Sequence, residues 1–184
     1  MFERTFDPLV EGSPRTVTSG ETVPLCVGQL AFLRGGGAMG ALMREMDWAR
    51  TALGPAEAWP QSLKTSVSIC LDSGFPVLLW WGPELVMLYN DAYRPMLGDK
   101  HPQSMGQAGS ECWPEIWGTI GPMLHDVLER GKTSYHEDLM LPLHRRGFAE
   151  ECYFTFTYSP IRDEHSRGTD VRASQRGHGR VPGA

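Results

Sequence analysis

The sequence contains no apolar run approaching the about 20 residues that a helix needs to cross a bilayer. It has no CxxC pair and no excess of positive charge, and each absence excludes a class of protein. Cys26, Cys70, Cys112 and Cys152 are too scattered for a zinc knuckle or a redox couple and read as reduced thiols. With 17 basic against 22 acidic residues the net charge is -5, which argues against nucleic acid or an anionic membrane as the main partner. Glu3, Arg4 and Asp7 stand ahead of a polar stretch, where a secretion signal would have a basic start and an apolar centre. The expectation is a soluble cytoplasmic protein. No local word suggests a Ser-His-Asp or Cys-His triad.

What is present is core-forming material: 41% hydrophobic residues and six Trp in 184 residues, enough for one ordinary domain with extensions. The chain is organised around FPVLLWWGPELVMLYNDAY, Phe75 to Tyr93. Two apolar runs, Phe75 to Trp81 and Leu85 to Tyr89, flank Gly82-Pro83. Proline's preset φ at the second position of a tight turn predicts a hairpin. Asn90 and Asp91 can accept hydrogen bonds from free backbone N–H groups, so a helix is predicted to start there, carrying Ala92, Tyr93, Met96 and Leu97.

Ahead of the hairpin, residues 1 to 24 show no periodicity, and Val23 to Leu33 is a short apolar patch. Gly35, Gly37 and Gly40 fit the spacing GxGxxG, in which glycines let backbone approach a pyrophosphate at a helix N-terminus. That reading needs a second strand ending in an acidic residue, and Thr51-Ala52-Leu53-Gly54-Pro55 is a loop instead. The competing reading is a glycine lead-in to a helix with Met39, Met43 and Met46 on one stripe. Pro60 opens a second helix with Leu63, Val67, Cys70 and Leu71 on one side. These two helices expose more apolar stripe than one sheet face would cover, which predicts self-association between Met39 and Leu71.

After the hairpin, Ile116, Ile120, Met123 or Leu124, Val127 and Leu128 keep a helical stripe, Gly131 is a stop, and Pro122 predicts a kink or a fresh start. Thr133 to Leu143 reads as a strand with Tyr135, Glu137, Leu139 and Leu141 on one face, and Pro142 marks it as an edge. Glu151 to Tyr158 reads as its partner, with Cys152, Phe154, Phe156 and Tyr158 on one face.

The hairpin running into Tyr89-Asn90-Asp91-Ala92-Tyr93 resembles the opening of a PAS sensory domain. Gly35-Gly36-Gly37 with Met39-Gly40, Asp47-Trp48 with Leu53-Gly54-Pro55, Trp59-Pro60, Trp113-Pro114, and Tyr153-Phe154-Thr155-Phe156 with Ser159-Pro160 resemble the N-terminal PAS region of bacterial, often hybrid, sensor histidine kinases. The resemblance covers about residues 35 to 164. It implies an α+β fold, a five-stranded antiparallel sheet in spatial order 2-1-5-4-3 with flanking helices, and signal sensing in a two-component phosphorelay. Past Glu164 the family pattern continues into a final apolar strand, whereas Ser166 to Arg180 contains one Val and no alternation. The expectation is therefore a PAS-like sheet lacking its fifth, central strand, with the two strands flanking the gap left unpaired and the domain marginal in stability.

The expected organisation is a poorly ordered extension over 1–34, N-terminal helices over 35–72, a PAS core over 73–164, and a disordered or out-of-frame tail over 165–184. The implied function is the sensory input domain of a histidine kinase, read here as a truncated chain without a phosphoacceptor helix or ATP-binding domain and so not an enzyme by itself. Two alternatives stand beside it: a ligand-free dimerisation module, and a nucleotide-binding enzyme using the glycine loop. Implied partners are a second copy, through the N-terminal helices, and kinase domains; nucleic acid and membrane are not expected.

No cofactor is predicted. A sensory pocket between hairpin and crossing helix would be lined by Met87, Tyr89, Tyr93 and Trp117, residues that plain core packing would equally employ. His136, Glu137 and Asp138 with His144 contain metal-ligand types, but successive strand residues point to opposite faces and do not converge. His125 stands where some PAS proteins place a haem ligand, yet Asp126 and Glu129 put it on the polar stripe. No cysteine lies in the asparagine-cysteine motif of flavin-binding light sensors.

Overall fold

The computed structural model describes residues 30–162 in full and the backbone of residues 168–179. The unpacked extension expected before residue 30 lies outside the described residues. Where the extension is described, a 3-10 turn at Ala31–Leu33 puts Leu33 in the core, so the ordered chain starts earlier than expected.

Helix α1 (Gly37–Glu45) buries Met39 and Met43, and α2 (Gln61–Asp72) follows directly on Pro60. The loop between them is tied by two indoles packed edge to face, Trp48 and Trp59, whose N–H groups donate to the Met43 and Gly54 carbonyls at 2.7 and 3.0 Å. Leu63, Val67, Cys70 and Leu71 all turn onto the sheet and are buried. These four side chains are therefore spent inside the domain, so the expected self-association would not run through them.

Strands β1 (Val77–Trp81) and β2 (Val86–Tyr89) form the expected hairpin, paired from Leu78 with Tyr89 to Trp81 with Val86. The turn is closed by Leu85 N–H donating to the Gly82 carbonyl at 3.0 Å, with Pro83 in second position. Leu85 itself has φ 51°, a conformation costing a non-glycine residue about 1–2 kcal/mol, and its burial holds it there. Every residue of β1 and β2 is buried. The run is continuous rather than alternating because both faces are covered: Trp81 and Val86 face the α2 side, while Trp80 faces the other.

Beyond the hairpin come α3 (Arg94–Leu97), α4 (Gly109–Cys112) and the crossing helix α5 (Trp117–Arg130). The link before α4 covers the edge of β2, since Met87 N–H donates to the Gln107 carbonyl and Gly106 N–H to the Met87 carbonyl, both at 2.9 Å. Helix α5 is continuous through Pro122, without the fresh start expected there, and ends at Gly131, whose φ of 60° is the left-handed cap.

Strands β3 (Ser134–His144) and β4 (Ala149–Arg162) pair antiparallel, with β3 at the edge. A bulge between His136 and Leu139, with Asp138 at φ 50°, shifts the alternation of β3. Tyr135 therefore faces solvent and does not share a face with Leu139 and Leu141, contrary to the unbroken alternation read from sequence.

The largest correction concerns the tail. Gly168–Gly179 forms β5, and the sheet is five-stranded in the order β2-β1-β5-β4-β3. Val171 pairs with Trp80, and Ala173 pairs with Leu78 on one side and Tyr158 on the other. The central strand is present, so the marginal stability argued from two unpaired edges loses its basis. The pairing is possible because a ladder is built from backbone N–H and C=O groups, which every residue but Pro supplies, and this segment contains no Pro. Residues 163–167 and 180–184 of the expected tail lie outside the described residues.

Candidate functional site

The hairpin delivers its last residues to a junction built on Asn90, which is 1% exposed. Its Oδ1 accepts from Val77 N–H and Tyr93 N–H, both at 3.1 Å, and its Nδ2 donates to the Ser73 and Phe75 carbonyls at 2.9 and 2.8 Å. Two lone pairs and two N–H groups are thus all used. The side chain closes the open end of the hairpin and caps the 3-10 turn Asp91–Tyr93, which turns Tyr93 into the core.

Tyr93 faces a small cavity bounded by the inner sheet face, α3 and α5. Among the described residues Trp80, Trp113, Ile116, Ile120, Leu141, Leu143, Phe154, Tyr158 and Met96 also line it, and the space open to the centre of a water molecule is about 20 Å³. Burial holds the phenols of Tyr93 and Tyr158 well above their ordinary pKa, so both are neutral hydroxyls. The indole N–H of Trp80 is buried and has no hydrogen-bond partner among the described residues.

Of the four residues proposed from sequence as pocket lining, Tyr93 alone lines this cavity. Met87 and Tyr89 share the inner face, opposite Trp80 and Leu78, but are packed outside it. Tyr89 belongs to a separate polar cluster: its hydroxyl lies 2.9 Å from His101 Nδ1 and 3.1 Å from Ser104 Oγ, and burial pushes its pKa up to about 12. Trp117 packs on Trp80 at 6.0 Å between ring centroids, against Gly109, where a Cβ would collide with both rings. The lining that sequence reasoning missed comes from elements distant in the chain. Its available signal was the alternation of Phe154 and Tyr158 in β4 and the stripe of Ile116 and Ile120.

The glycine spacing has a different explanation from phosphate binding. Gly36 has φ 67°, α1 begins at Gly37, and Met39 N–H at the helix start points to Asp91 Oδ2 at 3.4 Å. A Cβ on Gly37 would strike Asp91 Oδ2, and one on Gly40 would strike the Gly35 carbonyl. The helix N-terminus already faces a carboxylate of its own chain, the charge that its dipole favours.

His136 stacks on Phe156 at 5.0 Å, His125 is exposed on α5, and no group of three His, Cys, Asp or Glu residues suited to a metal ion occurs among the described residues. Next to the cavity, Arg145 is buried beside Glu150, with Nη2 to Oε2 at 2.9 Å, and its Nη1 donates to the Pro95 and Met96 carbonyls at 3.3 and 3.2 Å. The β3–β4 turn is thereby latched to α3, which carries Met96.

Solved structures share this architecture. A LOV protein of Rhodobacter sphaeroides matches with a TM-score of 0.50 at 17% identity, over 66% of this chain and 69% of that one. A sensory box sensor histidine kinase from Vibrio cholerae matches with a TM-score of 0.45 at 16% identity, over 63% and 90% of the two chains. The LOV domain of a blue-light activated histidine kinase from Erythrobacter litoralis matches at 0.44 and 13%, over 59% and 99%. No family model matches the sequence, and no curated protein matches it. At such identities the likeness is one of fold: the chain has the PAS fold, α+β with an antiparallel sheet.

Proposed function

We propose that this PAS-fold chain is a sensory input module that takes a small molecule between its sheet and α5 and biases the kinase domains of a two-component sensor histidine kinase. The observation that supports it best is the cavity at Tyr93, bounded by the inner sheet face, α3 and α5. A route out of that cavity exists in the chain. Tyr93 stands on the turn capped by Asn90, and Asp91 of the same turn meets the start of α1. An occupant that moves Tyr93 would move Asp91 against α1, so two packings of the N-terminal helices would be populated differently with and without ligand.

Native mass spectrometry of the purified chain tests this reading. A stoichiometric adduct lost on denaturation, or a ligand-dependent change in amide exchange across α1, is the expected result; a chain indifferent to every small molecule offered would overturn it. Incubation with labelled ATP should leave the chain unlabelled. Nucleotide binding through the glycines is disfavoured by the Asp91 carboxylate at the position a phosphate would need. A ligand-free interaction module is the second reading, and it rests on Tyr135 and Met140, which expose apolar surface on the outer sheet face at 64% and 44%.

A further inference from the structure

We infer that the strap 98–108, which joins α3 to α4 along the edge of β2, is a pH-sensitive device: a proton taken up by His101 leaves one donor too many in the hydrogen-bond chain through Tyr89 and Ser104, and the strap comes away from the strand. The inference goes beyond the ligand-binding reading, since its signal is acidity and none of these three residues lines the cavity at Tyr93. Backbone bonds hold the strap to β2. Met87 N–H donates to the Gln107 carbonyl and Gly106 N–H to the Met87 carbonyl, both at 2.9 Å, and Gly109 N–H donates to the Leu85 carbonyl at 3.1 Å. The side-chain tie between the same two elements is the Tyr89 hydroxyl, 2.9 Å from His101 Nδ1 and 3.1 Å from Ser104 Oγ.

The direction of that chain follows from Ser104. It is 0% exposed, and the Tyr89 oxygen is the acceptor its hydroxyl has among the described residues. A buried donor needs its acceptor, so Ser104 O–H donates to Tyr89, and the single phenol proton of Tyr89 goes to His101 Nδ1. The imidazole is then the neutral tautomer with its proton on Nε2, and two protons fill two contacts. Tyr89 keeps its proton, because burial pushes its pKa up to about 12. Acid adds a proton at Nδ1, so that three protons compete for two contacts and one donor is left without a partner. The charged groups acting on the ring are Arg94, which opposes an imidazolium, and Asp91, which favours one but lies 3.6 Å from Arg94; Lys100 beside it is engaged by Glu115 at 3.1 Å. Burial first and Arg94 second hold His101 below the ordinary histidine pKa. A histidine whose pKa is lower in the closed strap than in the open one takes its proton preferentially in the open form. The closed strap is therefore favoured above the ordinary value of about 6.5 and is lost as pH falls through the lower value.

Amide exchange of the full chain, followed residue by residue while the His101 ring is titrated by NMR, tests the device. Protection of the Met87 and Gly106 amides, corrected for the intrinsic effect of pH on exchange, should fall about tenfold for each pH unit by which closure lowers the His101 pKa. The amides of β1, which bond within the sheet, should keep theirs. His101→Asn assigns the ring signal by its loss, puts an oxygen at about the place of Nδ1 and cannot be charged, so its strap should stay protected across the same range. Tyr89→Phe cuts the chain in the middle, and should show lower protection at neutral pH with a smaller response to acid. Protection that is unchanged through the His101 titration, an equal fall in His101→Asn, a full response in Tyr89→Phe, or a ring that titrates at the ordinary value would each overturn the switch. None of these results bears on whether a small molecule enters the cavity at Tyr93.

Discussion

The two ends of the sheet are held in different ways. At the β1–β2 end both faces are covered, by α2 on one side and by the cavity wall on the other, and all nine strand residues are buried. At the β3–β4 end, among the described residues, the inner face is covered more fully than the outer. Cys152, Phe154, Phe156 and Tyr158 are buried, while Tyr153, Thr155 and Thr157 behind them are half-buried and Tyr135 and Met140 are exposed. The polar fastening differs as well. Asn90 at the first end is neutral and fully satisfied, whereas Arg145 and Glu150 at the second form a buried ion pair whose Glu150 Oε1 has no hydrogen bond among the described residues and only Arg146 at 4.0 Å. The first end thus combines double coverage with a neutral clamp. The second combines a more open outer face with a charged latch on α3.

The largest effect that would break this comparison is at α2. Leu63→Lys with Val67→Lys places two charges in the covered face, and an uncompensated buried charge costs about 3–5 kcal/mol. The pair should abolish the cooperative thermal transition, since a domain holds only about 5–15 kcal/mol in total. A folded, monomeric double variant would show that α2 does not cover β1 and β2.

Asn90→Ala comes next, because it strips Val77 and Tyr93 N–H groups and two carbonyls of their partner. With buried unsatisfied groups costing about 1–3 kcal/mol each and some of these reaching water, a loss of about 3–4 kcal/mol in urea unfolding is expected. Asn90→Asp, which keeps both accepted bonds, should lose less. Ala173→Pro probes the strand that joins the two ends. It removes a ladder N–H from the middle of the sheet and should cost about 3 kcal/mol, with faster amide exchange in both β1 and β4. An unchanged melting curve would mean that the two ends are not joined through β5.

A smaller effect follows from pH. The hydrogen bond from Arg145 lowers the pKa of Glu150, against the opposing influence of burial. A carboxyl whose folded pKa lies below its unfolded value of about 4.3 stabilises the protein above that pH, and the contribution disappears as pH falls through the folded value. Glu150→Gln should therefore flatten the acid limb of the stability profile below about pH 4.3 and leave its slope at neutral pH unchanged. An identical acid limb in both proteins would remove the ion pair from the account. The smallest effect sharpens the contrast of faces: Met140→Lys on the open face should change stability by less than about 0.5 kcal/mol, where the same chemistry on α2 is ruinous.

Much of the first end is legible in the residues alone. A Pro in a tight turn between two apolar runs, an Asn ahead of a helical stripe, and a Gly after Arg130 each act over a few residues, and hairpin, cap and helix stop all stand where those rules place them. The cavity is less legible. Tyr93 could be proposed because it follows the cap, but Trp80 and Tyr158 come to face the same space only through β5, which pairs with both strands. The bulge at Glu137 and Asp138 hides the true face of Tyr135, since a single left-handed residue inverts the alternation without any change in composition.

The sequence by itself determined the local elements, because turn, cap and stripe depend on φ preferences and on side chains two to four positions apart. Only the tertiary structure decided where the α2 stripe is buried, what stands at the glycine-flanked start of α1, and that a polar segment with one Val fills the centre of the sheet. Apolar periodicity says that a face will be covered and not by what. Backbone N–H and C=O groups, alike at nearly every residue, carry no mark of the strand they will join.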